Sequence, residues 1–392
     1  MIYFLIFLYL LISAIWLEGK KCTNALFVKY NYIVECLVLI LLFGLRYRLG
    51  SDSIRYENAY DHMPELRYIE FNLFVFVKYQ PFWLFLNSLL KSLGCSFVVL
   101  QILQSIFVNG GVFYIIQKKC HYKYTAIVFY YLLYYQYFTT EILRESIAVV
   151  IFLLSYDSLI NKRYLKYMGM AVIAFLFHIS SIIIFLAPFF VIFLKKKYNF
   201  FTLYIIVVVF SLISSVLIER FVDLFGGLDE YVDSLSDNYL DHSLNIFGML
   251  YKLFFLLPYI LFLSIIKYIP SLNNRENRLI LLSYIILKVL GVAYPPLDRF
   301  SNYFCILMLI VVTNMLRVTT FYKYHCLVFG GFLIVLYSQF AFYLKDYSYY
   351  NDNRTAYYYN MFIPYSSIIN PKMDQTRENI AWGQEFYLKP TD

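Results

Sequence analysis

Apolar runs follow one another along almost the whole chain, and this constrains the fold more than any other feature. A helix needs about 20 apolar residues to cross the ~30 Å hydrocarbon layer, and only helices or closed barrels satisfy every backbone group there. Candidate spans fall at 2–17, 32–45, 95–117, 125–138, 147–160, 200–218, 247–268, 279–294, 303–316 and 326–343. Only 15% of residues are charged, against about a quarter in soluble domains, so no stretch before residue 344 suits a separate soluble domain. The pattern predicts an all-α polytopic membrane protein of about 10 transmembrane helices, with an integral domain over 1–343 and a polar external tail over 344–392. Residues 2–17 have no basic segment before them and no small-residue cleavage site after them, so they are expected to remain as a first span.

The net charge of +8 is informative through its placement, because basic loops stay cytoplasmic. Lys20, Lys21 and Lys29, then Lys118, Lys119 and Lys123, then Lys162, Arg163 and Lys166, mark alternate loops as internal. Residues 168–194 are apolar but have basic residues on both sides, with Lys195–Lys197 beyond them. Read as one span, they would put Lys195–Lys197 outside and the acidic 219–245 loop inside. Read as a short helical hairpin turning at His178, they return every later basic loop to the cytoplasm. The hairpin is therefore the expected form, its turn buried in protein because lipid cannot satisfy it. Pro81 opens a further stretch, 80–93, with apolar residues at helical spacing, which predicts an outer amphipathic helix.

Charge, glycine and aromatics first crowd together at 46–60, directly after the second apolar run. Gly50 and Ser51 allow a turn, and Asp52 is placed to cap the helix that follows. Arg46, Arg48 and Arg55 make a plausible anion site, since guanidinium offers a planar fork of donors; snorkelling to headgroups is the ordinary alternative. Arg144 lies between Glu141 and Glu145, where the ordinary reading is a local ion pair at three-residue spacing. His178 is an ionisable group in an apolar stretch, which is either a satisfied core residue or functional. Six scattered cysteines without a CxxC pair give no reason to expect metal or redox chemistry, and no cofactor is expected.

Arg46-Tyr47, Gly50, Asp52, Tyr56 and Tyr60 resemble the "RYxxGTDYxxYxxxY" signature of the EpsG family, the Wzy-like polymerases of bacterial exopolysaccharides and O-antigens. Ser51 stands where the family has Thr, and Ser53 where it has Tyr. Arg144 and Ala148 resemble its "RQxxA", with Glu145 in place of Gln. Phe177-His178-Ile179-Ser180-Ser181 resembles "FHxSA", and Gln80-Pro81-Phe82 resembles "EPGF" without its acid. Asp298-Arg299 and the Pro364-Tyr365 pair in the tail resemble late segments of the family.

The resemblance implies a glycosyltransferase of the bacterial cytoplasmic membrane, joining undecaprenyl-diphosphate-linked repeat units at its outer face. Donor and acceptor are both lipid-linked glycans, a chain-length regulator is a candidate partner, and nucleic acid is not one. It further implies that Arg46, Arg144 and Arg299 face the diphosphate, and that His178 or Asp52 accepts the proton of the attacking hydroxyl. Arg48, Tyr56, Tyr60 and Asp298 are then candidates for sugar contact. No metal is expected. Two other readings stay open: a flippase or transporter of lipid-linked sugars, and an O-antigen ligase-like transferase.

Overall fold

The computed structural model describes residues 1–19, 24–69, 80–190, 205, 209, 252–293, 295–318, 322–351 and 354–386. The loop at 219–245, Lys195–Lys197 and most of the expected span at 200–218 lie outside the described residues. Every regular element described is helical. Five helices among the described residues are long and apolar enough to cross a bilayer: Ile2–Gly19, Ala25–Gly44, Phe97–Lys119, Leu297–Val318 and Tyr324–Tyr343. The chain divides into two compact units, Met1–Phe185 with Phe340–Tyr387, and Leu186–Gln339 with Leu388–Asp392.

The first unit is assembled from α1 (Ile2–Ala14), α2 (Ala25–Gly44), α3 (Ser51–His62), α4 (Pro81–Ser92) and α5 (Phe97–Lys119). A broken rod follows, α6 (Lys123–Tyr130), a π-helical turn and α7 (Gln136–Thr140), and then α8 (Leu143–Ile160), α9 (Tyr164–Phe177) and the first turn of α10 (Ile182–Phe190). In lipid, helices associate through close packing and polar contacts rather than through burial from water. Small residues accordingly sit at the crossings. Gly44 lies against Ser105 of α5, and Gly111 lies against Val150 of α8 with no room for a Cβ. Polar side chains then stitch the ends: Gln101 Nε2 donates to the carbonyls of Gly44 and Arg46 at 2.8 and 2.9 Å. Leu37 and Leu41 on α2 remain exposed, as a lipid-facing side requires.

Charges sort to the two ends of this unit. Lys118 and Lys119 both pair with Asp157 at one end of α5 and α8. Glu18 caps the start of α6, accepting from Tyr124 N–H at 2.6 Å and from the Thr125 hydroxyl at 2.6 Å. The signature loop, the α7–α8 corner and the C-terminal segment gather at the other end of the same helices.

That C-terminal segment is folded. A helix, α15 (Gln375–Phe386), and two 3-10 turns, Ser348–Asn351 and Tyr358–Met361, pack with Ile54 of α3 around Tyr347, Ala356, Tyr358, Met361, Phe362, Ile380 and Ala381. Tyr347, Ala356 and Tyr358 of the tyrosine-rich run thus supply packed core, while Tyr349 stays exposed. The backbone of the C-terminal segment also extends the signature loop. Tyr47 N–H donates to Ser366 O at 3.0 Å, Gly50 N–H to Met361 O at 3.2 Å, and Ile368 N–H to Leu45 O at 2.9 Å.

The second unit holds α11 (Leu257–Ile265), α12 (Arg275–Ala293), a 3-10 turn (Pro295–Ser301), α13 (Asn302–Val318) and most of α14 (Tyr322–Tyr343). α13 is buried from Asn302 to Leu316. Gly331 of α14 lets Phe262 and Pro258 of α11 approach, and Gly291 lies where a Cβ would meet Asp298 at 2.6 Å.

Candidate active site

The loop that follows α2 must reverse the chain and start α3, and it does so through two left-handed residues. Arg48 has φ 48° and Gly50 has φ 87°. A Cβ on Gly50 would stand 2.6 Å from Thr140 Cβ and 2.7 Å from Glu141 Oε1, so glycine is required both by conformation and by space. The reversal leaves the first N–H groups of α3 without helical partners, and a helix start attracts negative charge. Here Glu141 supplies that charge from 90 residues away. Ser51 N–H donates to Oε1 at 3.1 Å and Asp52 N–H lies 3.4 Å from Oε2. The Thr140 hydroxyl at 3.3 Å and the Tyr358 hydroxyl complete the ring around the carboxylate. Crowding by protein, and then repulsion from Asp52, push the Glu141 carboxyl up to about 7.

Arg144 enters from the same corner, in the first turn of α8. Its Nε donates to the Tyr56 hydroxyl at 3.0 Å, its Nη1 donates to Gln80 Oε1 at 2.9 Å, and its guanidinium lies 5.4 Å from the Tyr56 ring centre. Gln80 stands just before Pro81 at the start of α4, where the acid of "EPGF" would have placed a second charge against Arg144. Two residues on, Phe82 packs edge-on against Phe177 at 5.6 Å, next to His178. The α4 start thereby joins the surroundings of Arg144 to those of His178.

His178 is 6% exposed and ends α9. Its Nδ1 lies 2.7 Å from the Ser180 hydroxyl and 3.2 Å from the Ser180 N–H, so the serine holds this face of the ring. Tyr167 OH donates to Ile184 O and Phe175 meets Phe185, so the segment after the His178 turn packs back on α9.

The remaining candidates divide. Arg46 is 1% exposed; its Nη1 donates to Phe43 O at 2.6 Å, and Nε and Nη2 both donate to Ser53 Oγ at 3.1 and 2.9 Å. Ser53, where the family has Tyr, is thus the acceptor that turns this arginine inward. Burial draws the Arg46 pKa down to about 9, which leaves it cationic at neutral pH. Arg48 is held between Glu57 at 2.7 Å and both oxygens of Glu378 at 2.6 Å. Asp52 keeps a side chain 37% exposed, 3.7 Å from Arg55. Tyr56 touches Arg144, and its ring lies against Trp83 at 5.6 Å. Tyr60 is buried, with its hydroxyl on Cys95 O at 2.8 Å. Asp298 and Arg299 belong to the second unit, where Lys288 Nζ bonds both Asp298 oxygens at 2.8 and 3.0 Å and Arg299 is exposed.

In sequence Glu141 stands only as an ion-pair neighbour of Arg144, and nothing there singles out Glu378 or Tyr358. Glu141 left no local signal, because its partners Ser51 and Asp52 are distant in sequence. A four-donor ring on one carboxylate is a product of tertiary folding.

These features define a polytopic, all-α membrane protein with a cationic and aromatic cluster at one end of its first helical unit. The EpsG family model matches residues 29–367, so the chain belongs to the EpsG family. Neither the curated proteins nor the solved structures gave a match. Membership of this Wzy-like family supports a general role in polysaccharide polymerisation, glycosyltransferase activity and a multi-pass inner-membrane location.

Proposed function

We propose that the protein polymerises undecaprenyl-diphosphate-linked oligosaccharide repeat units at the outer face of the bacterial cytoplasmic membrane, through about 10 spans with a short hairpin at 168–194 and an interfacial helix at 80–93. A hydroxyl of the incoming unit attacks the anomeric carbon of the growing chain, the bond to the diphosphate oxygen breaks, and the lipid diphosphate leaves. The observation that carries this reading is the cluster of Arg144, Tyr56 and Gln80 in a chain of this family: a guanidinium that donates to a tyrosine hydroxyl and a glutamine carbonyl oxygen beside an aromatic ring. A fixed cation lowers the cost of charge developing on a leaving diphosphate. Arg299 is a second candidate for that charge, while Arg46, closed on Phe43 and Ser53, supports the loop from within. Proton acceptance falls to His178 or to Asp52, whose carboxylate retains solvent exposure. A chain-length regulator is a candidate partner.

Glycan length in a deletion strain tests the reaction. Surface glycan reduced to single repeat units, restored to long chains by the wild-type gene, supports polymerisation. Loss of all surface glycan would instead favour the flippase reading, and fully polymerised chains left on the lipid carrier would favour the ligase-like one. His178→Gln separates the base candidates, because glutamine cannot accept and release the proton. Collapse of turnover with retained donor binding, on the order of 10²–10⁴-fold, assigns the base to His178; normal turnover per folded protein turns attention to Asp52.

A further inference from the structure

Two contacts three residues apart grip one face of α3. Glu141 holds the N–H groups of Ser51 and Asp52, and Arg144 holds the side chain of Tyr56. Positions 52 and 56 are four apart and so share a helix face. Between the two grips the chain turns a corner at Glu141–Ile142, where both N–H groups converge on the Tyr137 carbonyl at 3.0 and 3.3 Å, and α8 begins at Leu143. The direction in which Arg144 leaves that corner therefore depends on how Glu141 is seated. The seat is built from three separate parts of the chain: α3, Thr140 of α7 and Tyr358 of the tail. The other groups facing it are Asp52 on α3, Arg46 on the preceding loop and Tyr343 at the end of α14.

We infer that Glu141 is a positioning residue: by closing the start of α3 against the α7–α8 corner, its carboxylate sets the placement of Arg144, and with it the donor diphosphate. This rests on the polymerase reading for its consequence in turnover, though not for its geometry. The ionised carboxylate has two oxygens and accepts one α3 N–H on each. A glutamine, or the protonated acid, presents a donor on one side and faces an N–H with it, so one of the two grips is lost. The start of α3 is then occupied by protein rather than open to substrate, which assigns the phosphate contact to Arg144 and not to the helix N-terminus.

The test compares wild type with Glu141→Gln and Glu141→Asp in the full-length detergent-solubilised protein, each verified as folded by its thermal transition. Arginine modification by phenylglyoxal, followed by mass spectrometry, reads the placement directly. In Glu141→Gln the Arg144 rate changes by several-fold while that of exposed Arg299 stays the same; Glu141→Asp, which keeps the charge, stays closer to wild type. Polymer formation is measured on the same samples across pH. Displacement of a positioned group by about 1 Å costs up to roughly 10²-fold, so turnover falls by a factor of that order in Glu141→Gln, and the acid limb of the rate profile is lost. An Arg144 reactivity indistinguishable from wild type in Glu141→Gln, or in Glu141→Ala if the glutamine variant does not fold, overturns the inference. A changed Arg144 reactivity in Glu141→Gln, with wild type itself making no polymer, overturns the proposed reaction and leaves the positioning intact.

Discussion

Arg48 and Glu378, 330 residues apart, form a two-point ion pair: Nε meets Oε1 and Nη2 meets Oε2, each at 2.6 Å. The fork geometry matches carboxylate to guanidinium, and Glu57 completes the arginine from α3. Beside it, Arg377 donates to the carbonyls of Arg48 and Pro364 at 3.2 and 2.7 Å, and Arg55 donates to Ala381 O at 2.9 Å. The C-terminal helix is therefore fastened to the signature loop by three arginines.

Removing one partner should destabilise this junction. Side-chain exposures of 18% for Arg48 and 7% for Glu378 place the pair between surface and interior, so Glu378→Ala should cost less than the ~3–5 kcal/mol of a fully buried pair. A double-mutant cycle with Arg48→Ala, read by unfolding in detergent, should show clear coupling. Strict additivity of the two single variants would show that the helix is held by its apolar face alone.

Gly50→Ala should disrupt the loop. The added methyl meets Thr140 and Glu141 within 2.7 Å, and a left-handed residue with a Cβ adds strain of about 1–3 kcal/mol. Loss of folded protein on extraction, or a markedly lower thermal midpoint, is the expected result. An unchanged midpoint would mean the corner relaxes freely.

Arg144→Lys keeps the charge but not the fork, so it cannot hold Tyr56 and Gln80 together. Polymer per folded protein should fall strongly, while Tyr56→Phe, which removes one acceptor and leaves the ring, should fall less. Equal activity in the lysine variant and wild type would reduce Arg144 to a general positive charge.

Stability should depend on pH through Glu141. Its carboxyl is raised in the folded protein from 4.5 to about 7, so the native state holds the proton more tightly than the unfolded chain. The contribution is fully present below about pH 4.5 and is lost as pH rises through about 7. The difference in thermal midpoint between wild type and Glu141→Gln, followed from pH 4.5 to 7.5, isolates it from other groups such as Glu57. A difference that does not vary with pH would contradict the shifted carboxyl.

What the sequence determined by itself is the membrane character, the all-helical class and the family. Apolar runs such as 95–117 and 303–316 are local properties, set by transfer from water to lipid, and are legible wherever they stand. The signature was legible too, because Gly50, Asp52 and Arg144 keep their spacing from neighbours in the chain. Their roles were not. Whether Arg46 turns outward or inward depends on Ser53 Oγ and the Phe43 carbonyl, whose positions follow only once α2 has ended and α3 has begun. The polar tail does not announce its packing in sequence, since tyrosine is equally at home in solvent, at an interface or in a core; packing around Ile54 and Met361 decides among these. Glu141 shows the limit most plainly. A carboxylate three residues before an arginine suggests a local pair, but the unsatisfied N–H groups at the start of α3 offered it a better seat 90 residues away, and only the tertiary structure brings the two within reach.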